Sequence, residues 1–234
     1  MKKTKQNKQN WLVTSIMAAV SLTLIALSYF KVVPMSMTEV FGFITGATCV
    51  WLVAKDNIWN WPIGIANSIF YVIVFFNARL FADMSLQVIY IILGFMGWYW
   101  WLRGGENKTR LKVLKVSKKE VVTLLAIAVV STFVMMQYLT KINDSAPFLD
   151  ALTTVMSLVA QYMLTRKYIE NWFVWLSVDV IYVGLYASRG LYLTSVLYAL
   201  FFCMCLVGLK EWRKLVTKKH TEKNLVLAEK GQNV

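Results

Sequence analysis

Trp175, Asp179, Tyr182 and Tyr186 stand at i, i+4, i+7 and i+11 in the apolar stretch NWFVWLSVDVIYVGLYAS (171–188). On an α-helix that spacing stacks them along one stripe, in the order indole, carboxylate, phenol, phenol. Rings that stack and an anion that pairs suit a flat, polar, cationic solute. The carboxylate is the informative member, because an Asp at the centre of a bilayer costs roughly 2.5–3.5 kcal/mol even on insertion scales. The other acidic residues, from Glu39 to Glu229, fall at the ends of apolar runs, in loops or in the tail. No basic residue lies at the depth of Asp179, so its partner is expected from outside the fold, as a solute, an ion or a proton.

The elements that position this stripe follow from composition. The 234 residues are 58% hydrophobic and 16% charged, against about 25% charged in soluble domains. A span needs about 17–25 mostly apolar residues, and eight segments qualify: 11–30, 36–54, 58–76, 84–102, 120–140, 149–165, 171–188 and 191–210. The first lacks a small-residue cleavage pattern and reads as a span rather than a signal peptide. With both termini cytoplasmic, the inner segments hold 21 of the 25 Lys and Arg, and the outer loops only Lys31, Arg79, Lys141 and Arg189. That asymmetry is the positive-inside rule, and a wrong span count would scramble it. The expected protein is all-α, polytopic and multi-pass in a bacterial cell membrane. Its basic runs at 111–120 and 210–220 flank span ends, where they read as contacts to anionic headgroups and not as a nucleic-acid site.

A shift of 111 residues lays segment 39–101 on segment 150–212 without a gap. Asn60 falls on Asn171, Trp61 on Trp172, Tyr71 on Tyr182, Gly97 on Gly208 and Trp101 on Trp212. Each copy holds three spans, joined by one linker span and preceded by one extra span, an arrangement of 1+3+1+3. The expected parts are an N-terminus with the extra span (1–35), a first three-helix bundle (36–102) and a basic loop with the linker span (103–148). A second bundle (149–212) and a basic tail (213–234) complete them. Separated by a single span, the copies are parallel repeats, a transporter signature with the solute held between the bundles. Opposite the stripe, the first copy offers Gly64, Ser68, Tyr71 and Phe75, with Asn67 beside them. Gln87, Gln137 and Gln161 are further polar candidates inside spans. Trp61, Trp101, Trp172 and Trp212 lie near span ends and read as interface anchors.

Catalytic and metal chemistry find little footing. His220 is the only histidine and lies in the tail, and Cys49, Cys203 and Cys205 show neither metal-ligand nor disulfide spacing. No activated nucleophile or acid/base pair is visible, so neither an enzyme nor a cofactor is expected.

The block NWPIGIANSIFYVIVFFNARLFADMSLQVIYIILGFMGWYWW (60–101) resembles the Pnu-type vitamin transporter family in its NWP helix start, its LFADMSLQ turn and its GWYWW ending. The resemblance covers about 36–212. It implies a SWEET-like pair of three-helix bundles, a homotrimer, and facilitated diffusion of a vitamin that phosphorylation then traps. Nicotinamide riboside is the first expectation for the solute, with thiamine, deoxynucleosides or proton-coupled transport through Asp179 as alternatives. Nicotinamide riboside members carry Trp-x-x-x-Asn in the second copy, where this chain has Trp175-x-x-x-Asp179.

Overall fold

The computed structural model describes residues 15, 19, 21–23, 25–26, 28–32, 37–77, 79, 81–144 and 146–231. The chain divides into two compact units, Met1–Thr48 and Cys49–Val234. In the first, the described residues between 15 and 29 are helical; half of the expected span 11–30 lies outside the described residues. Seven further helices follow: α1 (Met37–Ala54), α2 (Asn60–Asn77), α3 (Phe81–Arg103), α4 (Lys118–Lys141), α5 (Pro147–Thr165), α6 (Asn171–Ser188) and α7 (Tyr192–Gly231). Among the described residues, four segments are long and apolar enough to cross a membrane: Met84–Arg103, Lys118–Lys141, Pro147–Thr165 and Thr194–Thr217. Among the described residues the only β-type pairing is one bridge between Leu114 and Tyr168.

Local chemistry explains the helix ends. Ser117 caps α4 by accepting the Glu120 N–H at 3.3 Å, the first half of a capping box. Pro147 opens α5, where its missing N–H is no loss. The ends of α1 and α5 are built alike. Asp56 (φ 54°) and Lys167 (φ 60°) turn left-handed. Their N–H groups reach the carbonyls of Val53 and Leu164, while Asn57 and Tyr168 reach Leu52 and Met163. This is the Schellman closure, in which a left-handed residue satisfies the orphan carbonyls of the last turn. Over the stretch expected as a basic tail (213–234), α7 continues to Gly231, since the run EWRKLVTKKHTEKNLVLAEK contains neither Gly nor Pro to stop it.

The core of the second unit is a tryptophan quartet, which corrects the expectation that Trp61, Trp101, Trp172 and Trp212 anchor the membrane interface. Trp101 and Trp212 are fully buried, and Trp172 and Trp61 are 2% and 3% exposed. The rings of Trp61 and Trp101 meet edge to face at 5.4 Å, as do those of Trp172 and Trp212 at 5.5 Å, and Trp101 lies 6.0 Å from Trp212. Trp101 Nε1 donates to the Leu164 carbonyl at 3.1 Å and Trp212 Nε1 to the Val53 carbonyl at 2.9 Å. Donors and acceptors of the two bonds are both offset by 111 residues. The rings are inside because glycines make room: a Cβ on Gly97 would lie 2.2 Å from the Trp61 ring, and one on Gly208 2.3 Å from Trp172. Gly208→Ala and Gly97→Ala are therefore expected to destabilise the protein by ~1–3 kcal/mol each, read as a lower melting temperature. Gly184→Ala, which meets nothing within 4 Å, is the control.

The segment 104–117 closes over this core. Leu111 N–H bonds to the Trp101 carbonyl, Leu114 N–H to the Lys167 carbonyl, and Ile169 N–H to the Leu114 carbonyl. Lys167, fully buried, donates to the Leu111 carbonyl at 2.8 Å, pairs with Asp56, and stands 4.2 Å over the Trp101 ring. Burial pulls its ammonium below the usual lysine range, and the Asp56 charge opposes that fall. A buried cation is tolerated when paired and hydrogen-bonded, as this one is.

Candidate functional site

On α6 the stripe forms as spaced. Asp179 is 5% exposed, and Trp175, Tyr182 and Tyr186 are half-buried on the same helix. Trp175 packs against the tryptophan core and so links that core to the carboxylate one turn on. Helix α7 supplies the other wall. Its Tyr198 ring lies 4.7 Å from Tyr182 and 5.3 Å from Tyr186, stacked on the latter at 13°, and Tyr182 stacks on Tyr186 at 5.7 Å. Phe201 extends the row at 6.0 Å from Tyr198.

Asp179 has a partner inside the fold, which corrects the expectation that one must come from outside. Cys205 on α7, 4% exposed, donates its thiol to Oδ2 at 3.5 Å. The correction concerns hydrogen bonding and not charge. A thiol is a weak, neutral donor, and none of the ion pairs among the described residues involves Asp179.

Helix α5 faces this group with a polar row at i, i+4 and i+8: Thr153, Ser157 and Gln161. Thr153 and Ser157 are buried and Gln161 half-buried. Thr153 lies in hydrogen-bonding reach of Tyr182, and Ser157 in reach of Tyr90 on α3. Packing of α3 on α5, α5 on α6, and α6 on α7 brings these residues together.

The remaining candidates lie apart. Asn67, Ser68 and Tyr71 are on α2, which packs on α3; Ser68 is buried, and Tyr71 stacks on Phe75 at 5.5 Å. Gln87 is half-buried on α3 and Gln137 exposed on α4. Sequence reasoning missed Tyr90, Thr153, Ser157, Tyr198 and Cys205. The four-residue spacing of polar side chains through Thr153, Ser157 and Gln161 was the available signal. Nothing local in the sequence pairs Cys205 with Asp179, 26 positions away. Among the described residues, no three His, Cys, Asp or Glu side chains converge as a metal site would require.

Apolar helices that enclose a carboxylate, a row of phenols and a polar helix face define a multi-pass membrane protein with an internal polar site. The comparisons specify its class. The chain belongs to the nicotinamide mononucleotide transporter family, which it matches over residues 36–214. It is 30% identical to the nicotinamide riboside transporter PnuC of Escherichia coli (strain K12), over 76% of this chain and 85% of that one. With PnuC of Neisseria mucosa it shares 28% identity over 76% and 72%. A crystal structure of the vitamin B3 transporter PnuC superimposes with a TM-score of 0.63 at 26% identity, covering 87% of this chain and 92% of that one.

Proposed function

We propose that this chain takes up nicotinamide riboside by facilitated diffusion, with phosphorylation after entry keeping the solute in the cell. The observation that carries this reading is Asp179: an enclosed carboxylate, bonded to the neutral Cys205 thiol and to no cation among the described residues, beside Trp175 and the ring row of Tyr182, Tyr186 and Tyr198. Nicotinamide riboside is a flat pyridinium cation carrying a ribose. The rings stack on its aromatic face, Asp179 pairs with its charge, and Gln161 meets its amide or hydroxyls. Asn67, Ser68 and Tyr71 on α2 and Gln87 on α3 would serve other stages of the same proposed solute path, whereas Gln137, exposed on α4, stands away from it. The names of the relatives favour this solute over thiamine and deoxynucleosides.

The architecture we infer is eight spans in a 1+3+1+3 order, with two parallel three-helix bundles in a SWEET-like plan. The 111-residue offset shared by the two tryptophan bonds, the two Gly–Trp packings and the two left-handed helix ends supports it. Charge asymmetry along the chain supports a cytoplasmic side for both termini, and the family resemblance implies a homotrimer.

Proteoliposomes loaded with unlabelled nicotinamide riboside are expected to accumulate labelled solute by counterflow in the absence of any ion gradient. A protonophore should leave the initial rate unchanged; a fall would convert Asp179 into a proton relay and overturn facilitated diffusion. In a thermal-shift panel, nicotinamide riboside at 100 times its Kd should stabilise the protein by ~2.7 kcal/mol. If thiamine or a deoxynucleoside stabilises it more, the solute assignment is wrong.

A further inference from the structure

A concavity of the surface is lined by none of the candidate solute residues. It is an apolar groove of about 750 Å³ between α4, α5 and the start of α6. Val121, Ala128 and Met136 of α4 form one wall, and Leu152, Val159 and Phe173 form the other. From Val121 to Met136 the helix rises about 22 Å at 1.5 Å per residue, more than the ~15 Å of hydrocarbon in one leaflet. The groove is therefore long enough for an acyl chain.

One end of the groove is charged and the rest is not. Where Val116 and Val121 line it, the chain exposes Lys115, Lys118 and Lys119 at the entry to α4. Two carboxylates lie beside them, Glu170, which itself lines that end of the groove, and Glu120, and each is engaged by a donor of the fold. Glu170 accepts the Val116 N–H at 3.0 Å, and Glu120 accepts the hydroxyls of Tyr168 at 2.7 Å and Tyr162 at 3.2 Å. None of the ion pairs among the described residues uses these three lysines. An apolar slot thus meets three solvent-facing cations at a helix N-terminus, which itself favours an anion.

We propose that this groove is a site for an anionic phospholipid. One acyl chain lies along α4 against α5, and the phosphate sits on Lys115, Lys118 and Lys119. A phospholipid satisfies both features at once, whereas a free phosphate leaves the groove empty and a neutral lipid leaves the lysines unpaired. The site is separate from the solute path and stands whichever solute is carried.

Native mass spectrometry of the purified full-length protein tests it, with phosphatidylglycerol and phosphatidylcholine as probes in mixed micelles. Phosphatidylglycerol adducts should be retained in preference, and each lysine changed to Gln should weaken that preference about five-fold. The triple variant Lys115→Gln, Lys118→Gln, Lys119→Gln should bind the two lipids alike. Ala128→Trp, with an unchanged melting temperature, should lose both adducts because the ring fills the slot. Equal retention of the two lipids by the parent protein overturns the proposal, as does undiminished preference in the triple variant. Disulfide-linked copies from Leu125→Cys in native membranes would also overturn it, by showing the groove to be a subunit contact.

Discussion

Asp179→Ala is expected to weaken solute binding by at least about 30-fold while the protein stays folded. Removing one partner of a buried charge pair costs ~2–5 kcal/mol of binding, and here the other partner is the solute's pyridinium. The unliganded protein should feel the change little or gain from it, since the carboxylate is an enclosed charge whose donor is the weak Cys205 thiol at 3.5 Å. Isothermal titration in detergent reads the binding, and the melting temperature without solute reads the fold. Asp179→Asn separates the two roles of the side chain. The amide keeps the shape and hydrogen-bonding capacity and loses the charge, so its affinity should fall between parent and Ala variant. Unchanged affinity in Asp179→Ala would remove the residue from the site. Equal losses in both variants would show that charge alone acts.

Trp212→Ala is expected to cost ~3–5 kcal/mol of stability, the range for truncating a fully buried large aromatic. It removes the ring that touches both Trp101 and Trp172 and leaves the Val53 carbonyl without its indole donor. Trp212→Phe, which keeps much of the ring and loses the N–H, should cost closer to ~1 kcal/mol. Trp59, 63% exposed, is the matched control, and its Ala variant should change stability by no more than about 0.5 kcal/mol. Melting temperatures from the same purification decide the matter. If Trp59→Ala and Trp212→Ala fall together, the quartet is not a core and the interface-anchor expectation returns.

The tryptophans show where legibility stopped. Trp61, Trp101 and Trp172 lie near helix ends and Trp212 in the middle of α7, but a ring at any of these positions can face lipid or a neighbouring helix, and spacing along one helix does not distinguish these. Gly97 and Gly208, four residues before Trp101 and Trp212, were aligned by the 111-residue offset. Their role emerges only when Trp61 and Trp172, from other helices, lie across them. Lys167 was counted among the loop charges, and its burial on Asp56 and Leu111 depends on segment 104–117 folding back 56 residues. The site divided in the same way. Trp175, Asp179, Tyr182 and Tyr186 share one helix, so their spacing alone lined them up. Tyr198, Cys205, Thr153 and Ser157 come from two other helices, and only packing assembles them with the stripe.

The amino-acid sequence by itself determined the helices, because hydropathy and caps act within a few residues of the chain. The expected segment 171–188 coincides with α6, and 36–54 differs from α1 by one residue. Tertiary structure alone decided which ring is core and which carboxylate finds a thiol. Those outcomes depend on contacts between residues far apart in the chain, where geometry between helices, and not order along one, sets the energy.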